Sequence, residues 1–211
     1  MKKTAGVIFD FDGVLAESVD VKTRAFAHMY APYGEDVVRK VVDYHKENGG
    51  LSRFEKFRYF HKMILKEPLS ADKEQALGEI FSLLVMDAVV NAPWVPGALE
   101  FLKRFHAEMA LFVASGTPDE EIKEIVKRRS MDHFFVSVHG APATKAEIID
   151  RICKTYGFAR QTILMVGDAR TDYEGAISAR IRFVGRCPEG RGSFPSEVPV
   201  LEDLTKLHEY C

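Results

Sequence analysis

The chain has 211 residues, 46% of them hydrophobic, and a formal net charge of -2, which is length enough for one sizeable core with an insertion or for two small domains. So near-neutral a balance excludes a general attraction to nucleic acid or to an anionic membrane, and leaves small molecules as the expected partners. Cys153, Cys187 and Cys211 are odd in number, widely spaced and without a C-x-x-C arrangement, which argues for a reducing compartment, against structural zinc, and for buried or incidental thiols.

The first element is the stretch Ala5-Gly6-Val7-Ile8-Phe9-Asp10-Phe11-Asp12-Gly13-Val14-Leu15. It reads as a buried central strand of a parallel sheet that stops at two carboxylates. Alternation puts Asp10 and Asp12 on one side of the backbone, and Gly13 permits a sharp departure just past them. Acids that close repel unless a cation or a shared proton lies between them, and a hard divalent ion such as Mg²⁺ suits their oxygen ligands. Lys2 and Lys3 precede the run, but the two acids interrupt it before signal-peptide length, so no export signal is expected.

From Val19 to Val90 the pattern is helical. Apolar residues three and four apart mark a helix over Val19 to Tyr30, closed by Pro32 and Gly34, and a second helix covers Glu35 to Lys46. Asn48-Gly49-Gly50 breaks it, and Ser52 with Glu55 forms a capping box that opens a helix with the stripe Phe54, Phe57, His61 and Ile64. A further helix runs from Ala71 to about Val90. Its apolar end, Ile80 to Val90, is too short to span a bilayer and contains Asp87, so no membrane role and a cytoplasmic location are expected.

Beyond Pro96 strand and helix alternate, the signature of a parallel sheet covered on both faces. The predicted elements are a helix over Gly97 to His106, a strand Met109 to Ala114 ending at Ser115-Gly116-Thr117-Pro118, and a helix Asp119 to Arg129. A strand His133 to Val138, a helix Thr144 to Tyr156 beginning near Lys145, and a strand Thr162 to Val166 running into Gly167-Asp168 follow. The chain ends with a helix Tyr173 to Ala179, a short strand Ile181 to Gly185, a surface loop Cys187 to Pro199 and a helix Glu202 to Glu209. The simplest architecture is an α/β, Rossmann-like parallel sheet made from residues 1–15 and 92–211, with an α-helical insertion, 16–91, standing over the acidic strand end as a lid.

Ligands of an open parallel sheet bind beyond the carboxyl ends of its strands. Three predicted strands end there in Asp10/Asp12, Ser115/Gly116/Thr117 and Gly167/Asp168, with Lys145 between the last two and Asp172 four residues after Asp168. Carboxylates for a cation, a hydroxyl and bare N–H groups for phosphate oxygens, and an ammonium for anionic charge are what phosphoryl transfer requires. Taken singly, Ser115 reads as a turn or cap residue, Thr117 as a helix cap, Lys145 as a solvated helix lysine and Asp172 as the N-cap of the next helix. Their common position carries the case.

In order, D-F-D-G-V, A-S-G-T, the isolated Lys145 and V-G-D-A-R-T-D resemble the four signature motifs of the haloacid dehalogenase superfamily, in its phosphatase branch with a helical cap after the first motif. The resemblance runs from Val7 to about Gly185. It implies that Asp10 is the nucleophile that forms an aspartyl-phosphate and that Asp12 is general acid and then base, with its main-chain carbonyl a metal ligand. It further implies that Ser115 and Gly116 hold phosphoryl oxygens, that Lys145 offsets their charge, that Asp10, Asp12 and Asp168 hold Mg²⁺, and that Asp172 orients metal waters or Lys145. Ala146, where proline is common in the family, makes the approach of Lys145 less defined.

Substrate choice then falls to the lid. Its candidates are Asn48, Gly49, Gly50, Arg53 and Lys56, glycines for close backbone approach beside two cations; the competing reading is a loop and a solvated helix face. The expected function is a Mg²⁺-dependent phosphatase acting on a small phosphorylated metabolite, a sugar phosphate or a phosphoglycolate-like acid. A phosphomutase of the beta-phosphoglucomutase kind and a phosphonatase with a lid lysine are the alternatives, and a non-catalytic binding protein is the contrasting class. His28, His45, His61 and Trp94 are expected to be packing residues.

Overall fold

A six-stranded sheet organises the chain, in the order β3-β2-β1-β4-β5-β6 with every pairing parallel. The computed structural model describes residues 3–190, 192 and 194–211. Lys2, and Arg191 and Ser193 of the predicted 187–199 loop, lie outside the described residues.

β1 (Gly6–Phe9) is buried along its whole length between β2 (Ala110–Pro118) and β4 (Ile163–Gly167). Because neighbouring side chains alternate, each central strand feeds two cores. Val7, Phe9, Leu111, Val113, Leu164 and Val166 pack on one face, and Ile8, Phe112, Ala114, Ile163 and Met165 on the other. β5 (Arg182–Arg186) continues the sheet, and β3 (Ser137–Ala141) closes its far edge. The helices between strands are α5 (Ala98–Phe105), α6 (Asp119–Arg128), α7 (Lys145–Tyr156) and α8 (Arg170–Ser178).

Residues 16–91 contribute helices: α1 (Val19–Tyr30), α2 (Glu35–Glu47), α3 (Arg53–Tyr59), which runs into a π-helical turn Phe60–Leu65, and α4 (Ala71–Val90). α3 begins where the capping box predicts, with Ser52 Oγ accepting from Glu55 N–H and the Glu55 carboxylate accepting from Ser52 N–H. The helical segment leaves and rejoins the sheet side by side, since Glu17 N–H donates to Pro93 O and Val95 N–H to Leu15 O. Arg129 at the end of α6 ties down the return, donating to Val89 O, Val90 O and Ala92 O and covering the Trp94 ring at 4.7 Å. Among the described residues no helix is long and apolar enough to cross a membrane.

Several predicted elements shift. The strand expected over His133 to Val138 begins only at Ser137, because Asp132–Phe134 turns as a 3₁₀ helix. β2 runs on through Ser115, Gly116 and Thr117 to Pro118. The helix expected from Tyr173 starts at Arg170. The 187–199 stretch is not wholly surface loop: Phe194 and Val198 are buried and lead into β6 (Val200–Leu201), a strand hidden behind prolines in the sequence. No α-helix forms over Glu202 to Glu209; Asp203 Oδ1 accepts from Thr205 N–H at 2.9 Å and Oγ1 at 2.5 Å, and this local turn displaces the helix, leaving a 3₁₀ turn at Leu207–Tyr210. The three cysteines form no disulfide; Cys153 is buried, and Cys187 and Cys211 are half-buried.

Candidate active site

The acidic loop after β1 lies beyond the carboxyl ends of β2 and β4, where Asp10 N–H donates to Val166 O and the chain turns at Gly13. Gly13 has φ +74°, and a Cβ there would stand 2.2 Å from Asp168 Oδ2. Only glycine lets the first acidic loop and the end of β4 come so close.

Asp10, Lys145 and Asp172 form the buried centre. Thr144 caps α7 and sets Lys145 as its first residue. Lys145 Nζ stands 2.7 Å from Asp10 Oδ1, 2.7 Å from Asp172 Oδ1 and donates to Ala114 O at 2.5 Å. Apart from these two contacts with the ammonium, Asp10 Oδ1 and Asp172 Oδ1 have no partner among the described residues. Asp172 is the third residue of α8 and not its N-cap; its Oδ2 accepts from Ala169 N–H at 3.1 Å. It both secures the helix start and faces Lys145.

Burial raises the Asp10 carboxyl, and with Asp172 and Asp12 nearby it reaches about 7 although Lys145 pulls it down. Burial, then Asp10 and Asp172, hold Asp168 well above its ordinary value. Burial works against the Lys145 ammonium, but Asp10 and Asp172 more than reverse it and hold it above its usual range. Three carboxylates with ligand oxygens within 4.8 Å of one another, Asp10, Asp168 and Asp172, thus share a single ammonium. One ammonium among three clustered carboxylates leaves excess negative charge that fits a hard divalent cation.

Asp12 sits in a different network. Its Oδ1 accepts from Ser18 Oγ at 2.6 Å, and its Oδ2 contacts the Lys22 ammonium, which also donates to Thr117 Oγ1 at 2.7 Å. Burial acts to raise this carboxyl, but Lys22 and Ser18 outweigh it and hold it below its ordinary value. Thr117 therefore faces the site, and Pro118, without a side-chain cap, precedes α6.

Ala114 pairs with His139 and Pro118 with Ala141, four steps along β2 against two along β3, so Ser115-Gly116-Thr117 bulges out of the ladder. Ser115 Oγ accepts from Thr117 N–H at 3.1 Å. The lid loop lies against this bulge, for a Cβ on Gly116 would stand 2.8 Å from Gly50 O.

That approach divides the site. Asp10, Asp12, Asp168, Gly116, Lys22 and the lid residues Gly49, Gly50, Arg53 and Lys56 line a cavity of about 140 Å³. Ser115 and Lys145 open onto an adjoining groove of about 720 Å³ on the other side of Gly50 and Gly116. Asn48 is in neither; its side chain donates to Tyr44 O at 2.9 Å and finishes α2. Arg53 is buried and bound to Glu121, and Lys56 is buried beside His45.

Lys22, Ser18 and Glu121 were not among the expected site residues, whereas Thr117 was expected as a helix cap and His45 as a packing residue. Ser18 and Lys22 had a signal, four residues apart on one face just after the acidic loop. His45 meets Lys56 only through the packing of α2 on α3.

A family model described as haloacid dehalogenase-like hydrolase matches residues 7–186. The phosphorylated carbohydrates phosphatase of Thermotoga maritima is 28% identical over 187 residues, 83% of this chain and 81% of that protein. The phosphoglycolate phosphatase of Pseudomonas putida is 26% identical over 231 residues, 97% of this chain and 79% of that protein. The crystal structure of a predicted phosphoglycolate phosphatase from Haemophilus somnus shares the fold, with a TM-score of 0.75 at 19% identity over 100% of this chain and 99% of that one.

Proposed function

The chain belongs to the haloacid dehalogenase-like hydrolase family, and from that premise we propose that it is a phosphatase that hydrolyses a small phosphorylated metabolite, a sugar phosphate or a phosphoglycolate-like acid. The observation that carries the reading is the contact of one buried ammonium, Lys145, with both Asp10 and Asp172. The named activities of the Thermotoga and Pseudomonas relatives support it.

The Asp10 and Asp168 carboxylates, with the main-chain carbonyl of Asp12, would hold Mg²⁺, which would supply charge neutralisation for the phosphate and for the crowded carboxylates. An Asp10 oxygen attacks phosphorus, and the bond to the leaving alkoxide breaks as Asp12 gives it a proton. Asp12, now a carboxylate, takes a proton from water, whose oxygen attacks phosphorus and releases inorganic phosphate and free Asp10. Lys145 offsets charge on the transferring group and on Asp10. The Ser115 hydroxyl and the bulged Gly116 N–H would be the donors for its oxygens, with Thr117 N–H holding Ser115 Oγ in place.

The contacts of Asp12 suit the second half of this cycle. Held by Lys22 and Ser18 it is an anion, the form that accepts the proton of water. For the first half it must carry a proton, so substrate has to loosen the Lys22 contact. The helical segment 16–91 acts as the lid that brings Lys22 and the Gly49–Gly50 loop over the site. The test is turnover of a panel of phosphorylated sugars and acids with and without Mg²⁺; Mg²⁺-dependent release of inorganic phosphate, without a bisphosphate activator, is expected, and no release from any member overturns the reading.

A further inference from the structure

Resting on that phosphatase reading, we infer that Lys56 binds a carboxylate that the substrate carries in addition to its phosphate, so that the preferred substrates are small phosphate monoesters of carboxylic acids.

Charge is unevenly balanced around the cavity wall. Lys22 is paired with Asp12, and Arg53 is closed against Glu121. Arg170 pairs with Glu174 outside, and Lys46 is exposed to solvent. Lys56 differs from all of these: it is 2% exposed, and no carboxylate pairs with it among the described residues. A buried ammonium without a counter-charge is strongly disfavoured unless a ligand supplies one. Burial, with Lys22 adding to it and the more distant Asp12, Asp168 and Glu55 only partly offsetting it, brings the Lys56 ammonium down to about 7.

Hydrogen-bond capacity points the same way. An ammonium has three donors. Lys56 Nζ directs one to Gly49 O at 3.2 Å and one to His45 Nδ1 at 2.9 Å, which leaves one unused. His45 is neutral, driven down to about 3 by burial and by Lys56, so it accepts at Nδ1 and carries its proton on Nε2. That Nε2 is buried without a partner among the described residues. Both residues line the cavity that holds Asp10 and Asp12, and His45 is the positioning residue that fixes the lysine. Arg53, the more obvious cation in the sequence, has its fork filled by Glu121 and Ser82.

A carboxylate matches in charge and in acceptor number, whereas a hydroxyl would leave the buried charge unbalanced. On the Lys56 side of Gly50 and Gly116 the cavity is about 140 Å³, small beside the roughly 300–1,000 Å³ of pockets for drug-sized ligands, so the part of the substrate that reaches Lys56 is short.

The experiment compares 2-phosphoglycolate with its amide, which has the same shape and no carboxylate charge. Binding to Asp10→Asn is read by calorimetry and turnover by the wild type is read in parallel. The acid should bind on the order of tenfold or more tightly than the amide, and Lys56→Met should bring the ratio near one while Lys56→Arg keeps part of it. An acid no tighter than the amide in the Asp10→Asn background, or a Lys56→Met variant that weakens both equally, overturns the inference. The two readings fail separately: p-nitrophenyl phosphate hydrolysis by the wild type without any preference for the acid removes the carboxylate site alone. Preference for the acid in binding, with no ester turned over, removes the phosphatase reading alone.

Discussion

Arg53 of α3 grips Glu121 in the first turn of α6 with both arms of its guanidinium, and their side chains are only 4% and 8% exposed. Ser82 of α4 donates to the same carboxylate at 2.5 Å, and the Phe81 ring lies 4.5 Å beneath the guanidinium. The helical segment is thus fastened to the helix after β2 by a buried ion pair at the wall of the cavity that holds Asp10 and Asp12.

Removing one partner strands a buried charge, so Glu121→Leu should destabilise the protein by about 3–5 kcal/mol, whereas Arg53→Met with Glu121→Leu should cost much less than the two single changes together. Urea denaturation of the four proteins measures the coupling; strictly additive effects would show that the pair does not act as a unit.

Lys145→Met leaves Asp10, Asp168 and Asp172 without their shared ammonium. A fall in kcat of about 10²–10³-fold is expected, and Asp10→Asn should abolish turnover. Steady-state kinetics decides, and near-normal kcat in either variant contradicts the assigned roles.

Lys22 holds the Asp12 carboxyl below its ordinary value. In Lys22→Met that carboxyl moves up, so it keeps its proton to higher pH and the alkaline limb of the pH profile shifts upward for alkyl phosphates. Esters of p-nitrophenol leave without protonation and should show little shift. Identical shifts for both leaving groups would remove Asp12 from the acid role.

Asp10 is raised from 3.8 to about 7. A raised carboxyl keeps its proton in the folded protein where the unfolded chain has lost it, so without a cation Asp10 lowers stability as pH rises through that window. A divalent cation must displace the proton, and its binding strengthens with pH and levels off above about 7. The gain in unfolding temperature on adding Mg²⁺ should therefore be larger at about pH 7.5 than at about pH 5.5; equal gains contradict it.

The sheet was legible because its central strands are apolar on both faces and stop at polar residues, as β1 does at Asp10 and β4 at Asp168. Helix starts were legible where side chains bond their own backbone, at Ser52 and Thr144. The failures have the same origin at the other end of the chain, where Asp203 bonds Thr205 and outcompetes a helix. Ion-pair partners could not be read at all. Arg53 and Glu121 are separated by 68 positions, and neither residue type announces its partner, so Arg53 looked like a free cation and Lys56 like its equal.

The central claim is that Asp10 itself receives the phosphoryl group. Acid quench of the Mg²⁺-loaded enzyme during turnover, followed by mass spectrometry of the peptide spanning Asp10, tests it most directly. The peptide should carry one phosphoryl group on Asp10, lost on brief treatment with base. Full turnover with that peptide unmodified at every quench time would contradict the account.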